Sequence, residues 1–313
     1  MLCYIEGRFL MKVDVVILTK NSASTLRHTI LGILNSVPVG NLIIVDGCST
    51  DKTIDIANEF GAKVITCSSG IGVSRYKGAL EVKTEWFCFV DSDIYVFPSW
   101  FKQLKRWMEL ERVVWIQGLT LEHSNIFASY ALSKTLTYAR KGCVALSNAL
   151  IKKDIVLECK DWIRNNVHAG EDAILYEFVK SRGYRVLVDT TALCLHLPDC
   201  FFHDIYALYR AGRSDRLRRK HFPILYLGVP LLLLKDGFFR SILVNDLRLT
   251  AYFTVMLGLS YMLGFSEIKK DKTEKILEKI DKLGMSTEVN QLIAKEAEKW
   301  ETKFKNLRRI IYV

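Results

Sequence analysis

A continuous apolar strand that ends in two carboxylates constrains this chain more than any other feature. Residues 86–90 (WFCFV) lead directly into Asp91, Ser92 and Asp93. An apolar run of this length predicts a strand buried on both faces of a parallel sheet. Ligands of open α/β sheets bind beyond the carboxyl ends of the strands, where Asp91 and Asp93 fall. Two carboxylates there can hold a hard divalent cation that carries a diphosphate, although a polar turn that only ends the strand is the alternative.

The segments around this strand alternate between short apolar runs and stretches with apolar residues at helical spacing. Runs at 14–19, 42–45 and 63–66 predict three earlier strands, each followed by a helix. This β-α-β-α-β-α-β order predicts an α/β fold with a mostly parallel, Rossmann-like sheet and helices on both faces. Further along, the pattern predicts helices over 98–111 and 171–182 and strands over 113–117, 185–188 and 192–195, with no clear assignment for 118–150.

Three more charged residues lie where a predicted strand meets a predicted helix. Asp46 ends the second strand, Arg75 follows the glycine loop 68–72, and Asp172 begins the helix over 171–182. Each has a plain structural alternative. Asp46 could cap a helix, Arg75 could lie on a solvated helix face, and Asp172 could interact only with the helix N-terminus.

Composition restricts the partners of the chain. The formal net charge of +10 suits nucleic acid, an anionic membrane surface or a phosphorylated substrate. We expect no nucleic-acid partner, because the positive charge clusters beside apolar runs and no aromatic-basic recognition motif is present. The eight cysteines form no Cys-x-x-Cys pair, which indicates reduced thiols in a cytosol-facing protein.

The character of the sequence changes near residue 204. A basic cluster over 210–220 precedes two uncharged runs, 222–234 and 249–265. The first run is too short to span a bilayer and the second is borderline. The pattern fits an interfacial helix or a re-entrant hairpin on an anionic leaflet, and a buried helical subdomain is an equal alternative. Residues 267–313 are rich in Lys and Glu and predict a charged helical tail.

Five short motifs stand in a fixed order in the first two-thirds of the chain. They are VILTKN (16–21), IVDGCSTD (44–51), GIGVSRYKGA (70–79), FVDSD (89–93) and GEDAILYEFVKSRGYRV (170–186). Together they resemble the family 2 inverting glycosyltransferases with the GT-A fold. The resemblance assigns residues 11–203 to a nucleotide-sugar glycosyltransferase domain. The basic and apolar pattern described above assigns 204–266 to a helical membrane-associated region and 267–313 to the charged helical tail.

The resemblance implies that a UDP- or GDP-linked sugar binds across the carboxyl ends of the first strands. It also implies a Mg²⁺ or Mn²⁺ ion and a carboxylate that takes the proton of the acceptor. The residues that match the family's motifs are Thr19 and Asn21 near the base and ribose, Asp46 at the base, Arg75 at the base or phosphate, Asp91 toward the ribose, Asp93 at the metal, His196 as a further metal ligand and Asp172 as general base.

The implied activity is metal-dependent, inverting transfer of a sugar to a lipid-linked or glycan acceptor at the cytoplasmic side of the cell membrane. An inverting reaction needs a base on the face opposite the nucleotide, and the leaving diphosphate gains charge that a cation stabilises. The alternative is a catalytically silent partner protein that binds sugar nucleotide. The chain departs from the family pattern at Gly47 and Cys48, where the family has a carboxylate and a glycine, and at Ser74 and Tyr76, which flank Arg75.

Overall fold

A computed structural model of the chain describes residues 11–121, 144–161 and 170–197 without a break, isolated residues and short helical stretches between 209 and 262, and residues 310–312. The elements are β1 (Val13–Thr19), α1 (Leu26–Ser36), β2 (Val39–Asp46), α2 (Thr53–Glu59), β3 (Lys63–Thr66), α3 (Ile71–Glu81), β4 (Trp86–Asp91), β5 (Ile94–Val96), α4 (Trp100–Lys105), β6 (Val113–Leu121), β7 (Asn148–Lys152), α5 (Lys153–Glu158), α6 (Glu171–Ser181), β8 (Arg185–His196), α7 (Arg248–Ala251) and β9 (Ile310–Tyr312).

All the described strands belong to one mixed sheet in the order β3-β2-β1-β4-β7-β6-β8-β5, with β9 paired to β8. The strands β3, β2, β1 and β4 are parallel, as the alternating sequence predicts. Beyond β4 the sheet changes, because β7 lies antiparallel between β4 and β6. The strands β6 and β8 are parallel again, and β5 and β9 run antiparallel to β8. The predicted α/β class is therefore confirmed, with a sheet that is parallel in one half and mixed in the other.

Both faces of the sheet are covered by helices, which explains the unbroken apolar runs in its central strands. Val15 and Ile17 of β1 pack on one face with residues of α1 and α4. Val16, between them in the sequence, packs on the other face with residues of α3, α5 and α6. Because successive side chains of a strand point to opposite faces, a strand covered on both sides must be apolar at every position.

The strand β8 is longer than the sequence predicts, because polar residues continue it. The prediction separates 185–188 from 192–195, whereas the structure has one strand over Arg185–His196. Asp189, in the middle, is fully buried. Its carboxylate accepts hydrogen bonds from Arg106 Nη2 at 2.9 Å and Trp107 Nε1 at 2.7 Å. These bonds offset the desolvation that would otherwise exclude a carboxylate from a buried strand.

The predicted C-terminal region is described only in part. The prediction of a helical tail is wrong for Ile310–Tyr312, which pair with β8 as a strand because an apolar segment there satisfies the strand's free backbone groups. Residues 267–309 lie outside the described residues, so their helical assignment stays a prediction. Residues 233–239 and 241–242 are helical. Among the described residues, no helix is long and apolar enough to cross a membrane.

Candidate active site

Three neighbouring strands end together at one edge of the sheet. Thr19 of β1 pairs with Asp46 of β2, and Leu18 of β1 pairs with Asp91 of β4. The register therefore brings the polar ends of β1, β2 and β4 side by side, at the carboxyl edge where ligands of such sheets bind. This is the arrangement that the motifs predict for Thr19, Asp46 and Asp91.

Asp46 holds the turn that follows β2. Its side chain is fully buried. It accepts a hydrogen bond from Thr19 Oγ1 at 2.9 Å, another from the backbone N–H of Ser49 at 2.7 Å, and a third from the Ser49 hydroxyl. Both carboxylate oxygens are thus already engaged with protein. Asp46 braces this turn but does not cap α2, which begins at Thr53 and whose N-cap residue makes no side-chain cap hydrogen bond. Its contact with a nucleotide base stays a prediction.

Two residues in left-handed backbone conformations shape the same edge. Asn21 has a φ of 53° and Cys48 a φ of 62°. Asn21 Oδ1 accepts a hydrogen bond from the backbone N–H of Thr50 at 2.8 Å, which ties the turn after β1 to the turn after β2. Asparagine tolerates this conformation well, whereas cysteine adopts it at a steric cost of about 1 kcal/mol. The glycine of the family pattern at position 48 therefore has a backbone reason, and this chain reaches the same turn without it.

Arg75 is the centre of a buried charge cluster. It lies on α3 and is 2 % exposed. Its Nε donates to Glu171 Oε1 at 3.0 Å and its Nη2 donates to Asp91 Oδ1 at 3.0 Å. Its guanidinium carbon lies 5.1 Å from the centre of the Phe89 ring. Its Nη1 is buried and has no hydrogen-bond partner among the described residues. A buried donor left free in this way is costly, and it is ready for an anionic ligand.

The two carboxylates decide the charge of Arg75. Burial of the guanidinium lowers its pKa, but Asp91 and Glu171 outweigh this effect, so the pKa of Arg75 is raised. Burial also raises the pKa of Asp91; Arg75 opposes that rise, whereas Asp93 and Glu171 add to it. Carboxylates outnumber the cation in this cluster, which is the pattern expected where a further positive charge binds.

Asp172 lies in the first turn of α6, beside Glu171. Burial raises the pKa of Asp172 to about 6, and the negative charges of Glu171 and Asp91 add to the rise. A hydrogen bond from the backbone N–H of Ala173 at 2.8 Å and the charge of Arg75 work in the opposite direction. A carboxylate with this pKa is ionised near pH 7 and still binds a proton far more readily than an ordinary aspartate, which suits a general base.

The turn after β4 presents Asp93 to the end of β8. Ile94 pairs with His196 across β5 and β8. Asp93 Oδ2 lies 3.2 Å from His196 Nε2, and both side chains are partly exposed. The turn itself is fixed by Ser92, whose hydroxyl shares a 2.8 Å hydrogen bond with Ser22 and whose carbonyl accepts one from Thr29 at 2.9 Å. The structure therefore brings together the two residues predicted as metal ligands.

The donor set of this pair fits a divalent cation that a substrate completes. In the described ranges 11–121, 144–161 and 170–197, no group of three or more His, Cys, Asp or Glu side chains forms a metal cage. Mg²⁺ and Mn²⁺ are commonly held in proteins by one or two side chains, with phosphate and water oxygens as the other ligands. Asp93 and His196 offer one hard oxygen and one imidazole nitrogen, and their exposed faces leave room for such ligands.

A buried carboxylate at the opposite end of the sheet serves as a contrast. Asp14, at the start of β1, is fully buried. It accepts hydrogen bonds from the backbone N–H and side-chain amide of Asn41, each at 2.8 Å, and from the backbone N–H of Lys83 at 2.6 Å. Neutral donors thus engage both of its carboxylate oxygens. At the ligand-binding edge, by contrast, Asp91 and Glu171 share the cation Arg75.

Comparison with known families identifies the segment of the chain that contains this edge. Residues 14–163 match the sequence model of Glycosyl transferase family 2. They form a family 2 glycosyltransferase domain. The matched segment contains all of the predicted donor-binding residues, from Thr19 to Asp93. It ends before Asp172 and His196, so the positions of these two residues in the site are known from the structure alone.

The chain is also similar to individual proteins. It is 34% identical over 84 residues to an uncharacterized glycosyltransferase of Rickettsia bellii, a match that covers 26% of this chain and only 28% of that protein. S. aureus TarS is similar over 84% of this chain and 56% of its own, at 15% identity and a TM-score of 0.45. Glucosyl-3-phosphoglycerate synthase of Mycobacterium tuberculosis, solved with Mn²⁺, uridine diphosphate and glucosyl-3-phosphoglycerate, is similar over 49% of this chain and 66% of its own, at 18% identity and a TM-score of 0.35.

Glu171 is the site residue that the motif analysis of the family 2 domain misses. Sequence reasoning assigns a role to Asp172 and treats its neighbour only as part of the motif. In the structure Glu171 is 6 % exposed, and it is the partner of Arg75. A glutamate at the first position of a helix is common for reasons of the helix dipole, so the sequence contains no signal that it is buried against an arginine.

Proposed function

We propose that the protein is a metal-dependent inverting glycosyltransferase that uses a nucleotide diphosphate sugar, UDP- or GDP-linked, and a lipid-linked or glycan acceptor. One observation carries the proposal. A carboxylate with a pKa of about 6, Asp172, stands beside the Arg75 cluster at the carboxyl edge of the sheet. This combination supplies an anion-binding donor and a proton acceptor at one edge of the sheet, which are the two groups that glycosyl transfer to a hydroxyl requires.

Arg75 is the group that we assign to the donor diphosphate. Its Nη1 has no partner among the described residues, and the other two donor edges are fixed by Asp91 and Glu171. A fixed, free N–H edge in a buried setting is preorganised for a phosphate oxygen. The ends of β1 and β2 lie at the same edge of the sheet. There Thr19, Asn21 and Asp46 support the base and ribose of the donor.

Asp172 is the proposed base. The acceptor hydroxyl gives its proton to the Asp172 carboxylate as its oxygen bonds to the anomeric carbon. The bond from that carbon to the diphosphate oxygen breaks at the same time, and its electron pair leaves with the diphosphate. Attack from the face opposite the diphosphate inverts the anomeric centre, and no covalent intermediate with the protein is needed.

Asp93 and His196 are the residues that would hold Mg²⁺ or Mn²⁺. When bound, the cation would neutralise charge on the diphosphate. The protein's own part is to keep the two ligands together, which it does through the pairing of β5 with β8 and through the hydrogen bond from the Leu197 backbone N–H to the Asp93 carbonyl at 2.7 Å.

The first test is calorimetry with UDP, GDP and their sugars, with and without Mn²⁺. We expect wild-type protein to bind one base with a dissociation constant on the order of micromolar, about −8 kcal/mol, and to lose at least about tenfold when the metal is left out. Asp93→Ala should bind the nucleotide equally weakly with and without Mn²⁺. Asp154→Ala is the control and should behave as wild type. It removes an exposed carboxylate from α5, which follows Lys152 of β7, and Lys152 pairs with Trp86 at the start of β4, the end away from Asp91.

The outcomes of this test separate the two functions. Binding without any sugar transfer or donor hydrolysis would favour the catalytically silent partner. Failure of the folded protein to bind any nucleotide would contradict both. Metal-dependent binding that survives in Asp93→Ala would contradict the assigned metal ligand alone.

We also propose that the region over 204–266 binds the cytoplasmic surface of the membrane. The described helical residues between 231 and 242 support this, because their polarity is inverted. Gly237 and Ser241 are buried, and Thr250 Oγ1 donates a 3.0 Å hydrogen bond to Ser241 Oγ. The exposed side chains include five large apolar ones together with Lys235: Leu231, Leu234, Phe238, Phe239 and Ile242. Small polar residues inside and large apolar residues outside are typical of helices that contact lipid.

Vesicle flotation tests this second proposal. Because the region over 204–266 contains nine Lys or Arg and four Asp, we expect the protein to float with phosphatidylserine vesicles and to bind neutral vesicles at least about tenfold more weakly. Phe238→Ser with Phe239→Ser should abolish flotation. Leu31→Ser with Leu34→Ser removes two exposed leucines from α1 and is the matched control. Equal flotation of both double variants would contradict a lipid-binding face.

A further inference from the structure

Glu171 makes a contact that the proposed chemistry does not use. Its carboxylate binds Arg75 Nε, and Arg75 Nη2 is bound in turn by Asp91. Two of the three guanidinium nitrogens are therefore hydrogen-bonded to carboxylates from two different elements, α6 and β4. The third nitrogen, Nη1, remains buried without a partner among the described residues. A guanidinium held at two edges cannot rotate, so the direction of its third edge is set before any ligand arrives.

We propose that Glu171 is a positioning residue that links the donor-binding Arg75 with the base Asp172. It orients Arg75 toward the donor diphosphate, and from its place next to Asp172 in α6 it strengthens Asp172 as a base. This inference rests on the proposed function. The geometry that carries it is a chain of ion pairs from Asp91 through Arg75 to Glu171. Two contacts of 3.0 Å join β4, α3 and α6, and the side chains of Arg75 and Glu171 are each less than a tenth exposed.

The charge of Glu171 reaches Asp172 directly. After burial, Glu171 is the largest cause that raises the pKa of Asp172, with Asp91 acting in the same direction and Arg75 and the Ala173 backbone N–H acting against it. Removing the negative charge of Glu171 must therefore lower the pKa of Asp172 and weaken it as a base. Glutamine at this position keeps an acceptor for Arg75 and lacks the charge, so the titration of Asp172 separates the effect of the charge from that of the contact.

The experiment compares Glu171→Gln and Glu171→Ala with wild type. In Glu171→Gln the amide oxygen still accepts the hydrogen bond of Arg75 Nε, so we expect nucleotide affinity within about threefold of wild type. The acid limb of the pH profile of kcat/KM, near pH 6 in wild type, should move to lower pH by roughly 0.5–1 unit. In Glu171→Ala Arg75 loses that anchor, and nucleotide affinity should fall by about tenfold.

Carbon-13 NMR of the carboxyl groups makes the test independent of turnover, because it follows the titration of Asp172 in the resting protein. Glu177→Gln removes an exposed carboxylate from the same helix and should leave that titration unchanged. If Asp172 titrates alike in wild type and Glu171→Gln, the proposal is overturned. If the titration moves but wild type transfers no sugar, Glu171 still positions the site and it is the proposed transferase function that fails.

Discussion

Replacing Asp172 with asparagine is expected to lower kcat by about 10²–10⁴-fold while leaving the affinity for sugar nucleotide unchanged. Asparagine keeps the shape of the side chain and its hydrogen bond from the Ala173 backbone N–H, but it cannot take a proton from the acceptor. Arg75 and the turn after β2 do not depend on it, so the donor half of the site remains intact. Steady-state kinetics together with calorimetry of nucleotide binding check both parts of this result.

The same variant is also expected to be more stable than wild type. Folding raises the pKa of Asp172 from 3.8 to about 6, so the folded protein binds this proton more tightly than the unfolded chain does. The native state therefore loses stability as the pH rises through this window and carries the full cost above it. Because Asp172 is partly exposed, solvent reduces that cost to roughly 1 kcal/mol, which Asp172→Asn should recover at pH 7.

Urea unfolding at pH 7 and at pH 4 measures this difference. We expect Asp172→Asn to exceed wild type in free energy of unfolding at pH 7 and to approach it near pH 4, where Asp172 of the folded protein is protonated and most of the cost is gone. Asp154→Asn, on the exposed face of α5, provides the control and should show no such pH dependence. A variant that transfers sugar at the wild-type rate would exclude Asp172 as the base, whatever its stability.

The first half of the fold could be predicted because each central strand is covered on both faces. The apolar runs over 14–19, 42–45 and 63–66 and the run before Asp91 are close to the observed β1, β2, β3 and β4. Their polar ends then follow from the parallel register, so the neighbourhood of Thr19, Asp46 and Asp91 needed no tertiary information. A continuous apolar run is a local signal, and in this half of the sheet the local signal and the fold agree.

The second half could not be predicted, because its strands depend on distant partners. The strand β7 (Asn148–Lys152) is short, begins with a polar residue and is inserted antiparallel between β4 and β6. Asn148 is fully buried, and its side chain donates to Thr120 Oγ1 at 2.8 Å. Nothing adjacent to Asn148 in the chain indicates that bond. In the same way, Asp189 interrupts the apolar pattern of β8 but not the strand, since Arg106 and Trp107, which directly follow α4, donate hydrogen bonds to it.

The part of the site that contains Arg75 and Glu171 shows the same limit. Arg75 and Glu171 are separated by 96 positions in the sequence, and no pattern of spacing relates them. The sequence suggests each charge as an isolated group at the start of a helix or after a loop. Their pairing, the burial that accompanies it and the pKa of Asp172 arise only when α3 and α6 pack on the same face of the sheet. Motif matching therefore finds the members of this site and misses the contact that orders them.

Replacing Arg75 with methionine is expected to reduce the free energy of unfolding by about 3–5 kcal/mol and to abolish nucleotide binding. Methionine retains the packing against Phe89 but leaves the carboxylates of Glu171 and Asp91 without their cation. Glu171 is 6 % exposed, so water cannot replace the lost partner. Much of the loss is thus the cost of an uncompensated buried charge, and the double variant Arg75→Met with Glu171→Met should regain a large part of it. Urea unfolding of the two variants at pH 7 measures this recovery.

Arg106→Met is the matched control, because Arg106 also pairs with a buried aspartate. Its side chain is 50% exposed, and its partner Asp189 has further donors in Trp107 and Thr191, so we expect a loss of only about 1 kcal/mol. The difference between the two arginines separates a cation that is indispensable to its carboxylates from one that is replaceable. If Arg75→Met unfolded at the same urea concentration as Arg106→Met, the carboxylates at the site would be satisfied without Arg75. The assignment of Arg75 as the centre of the charge cluster would then be wrong.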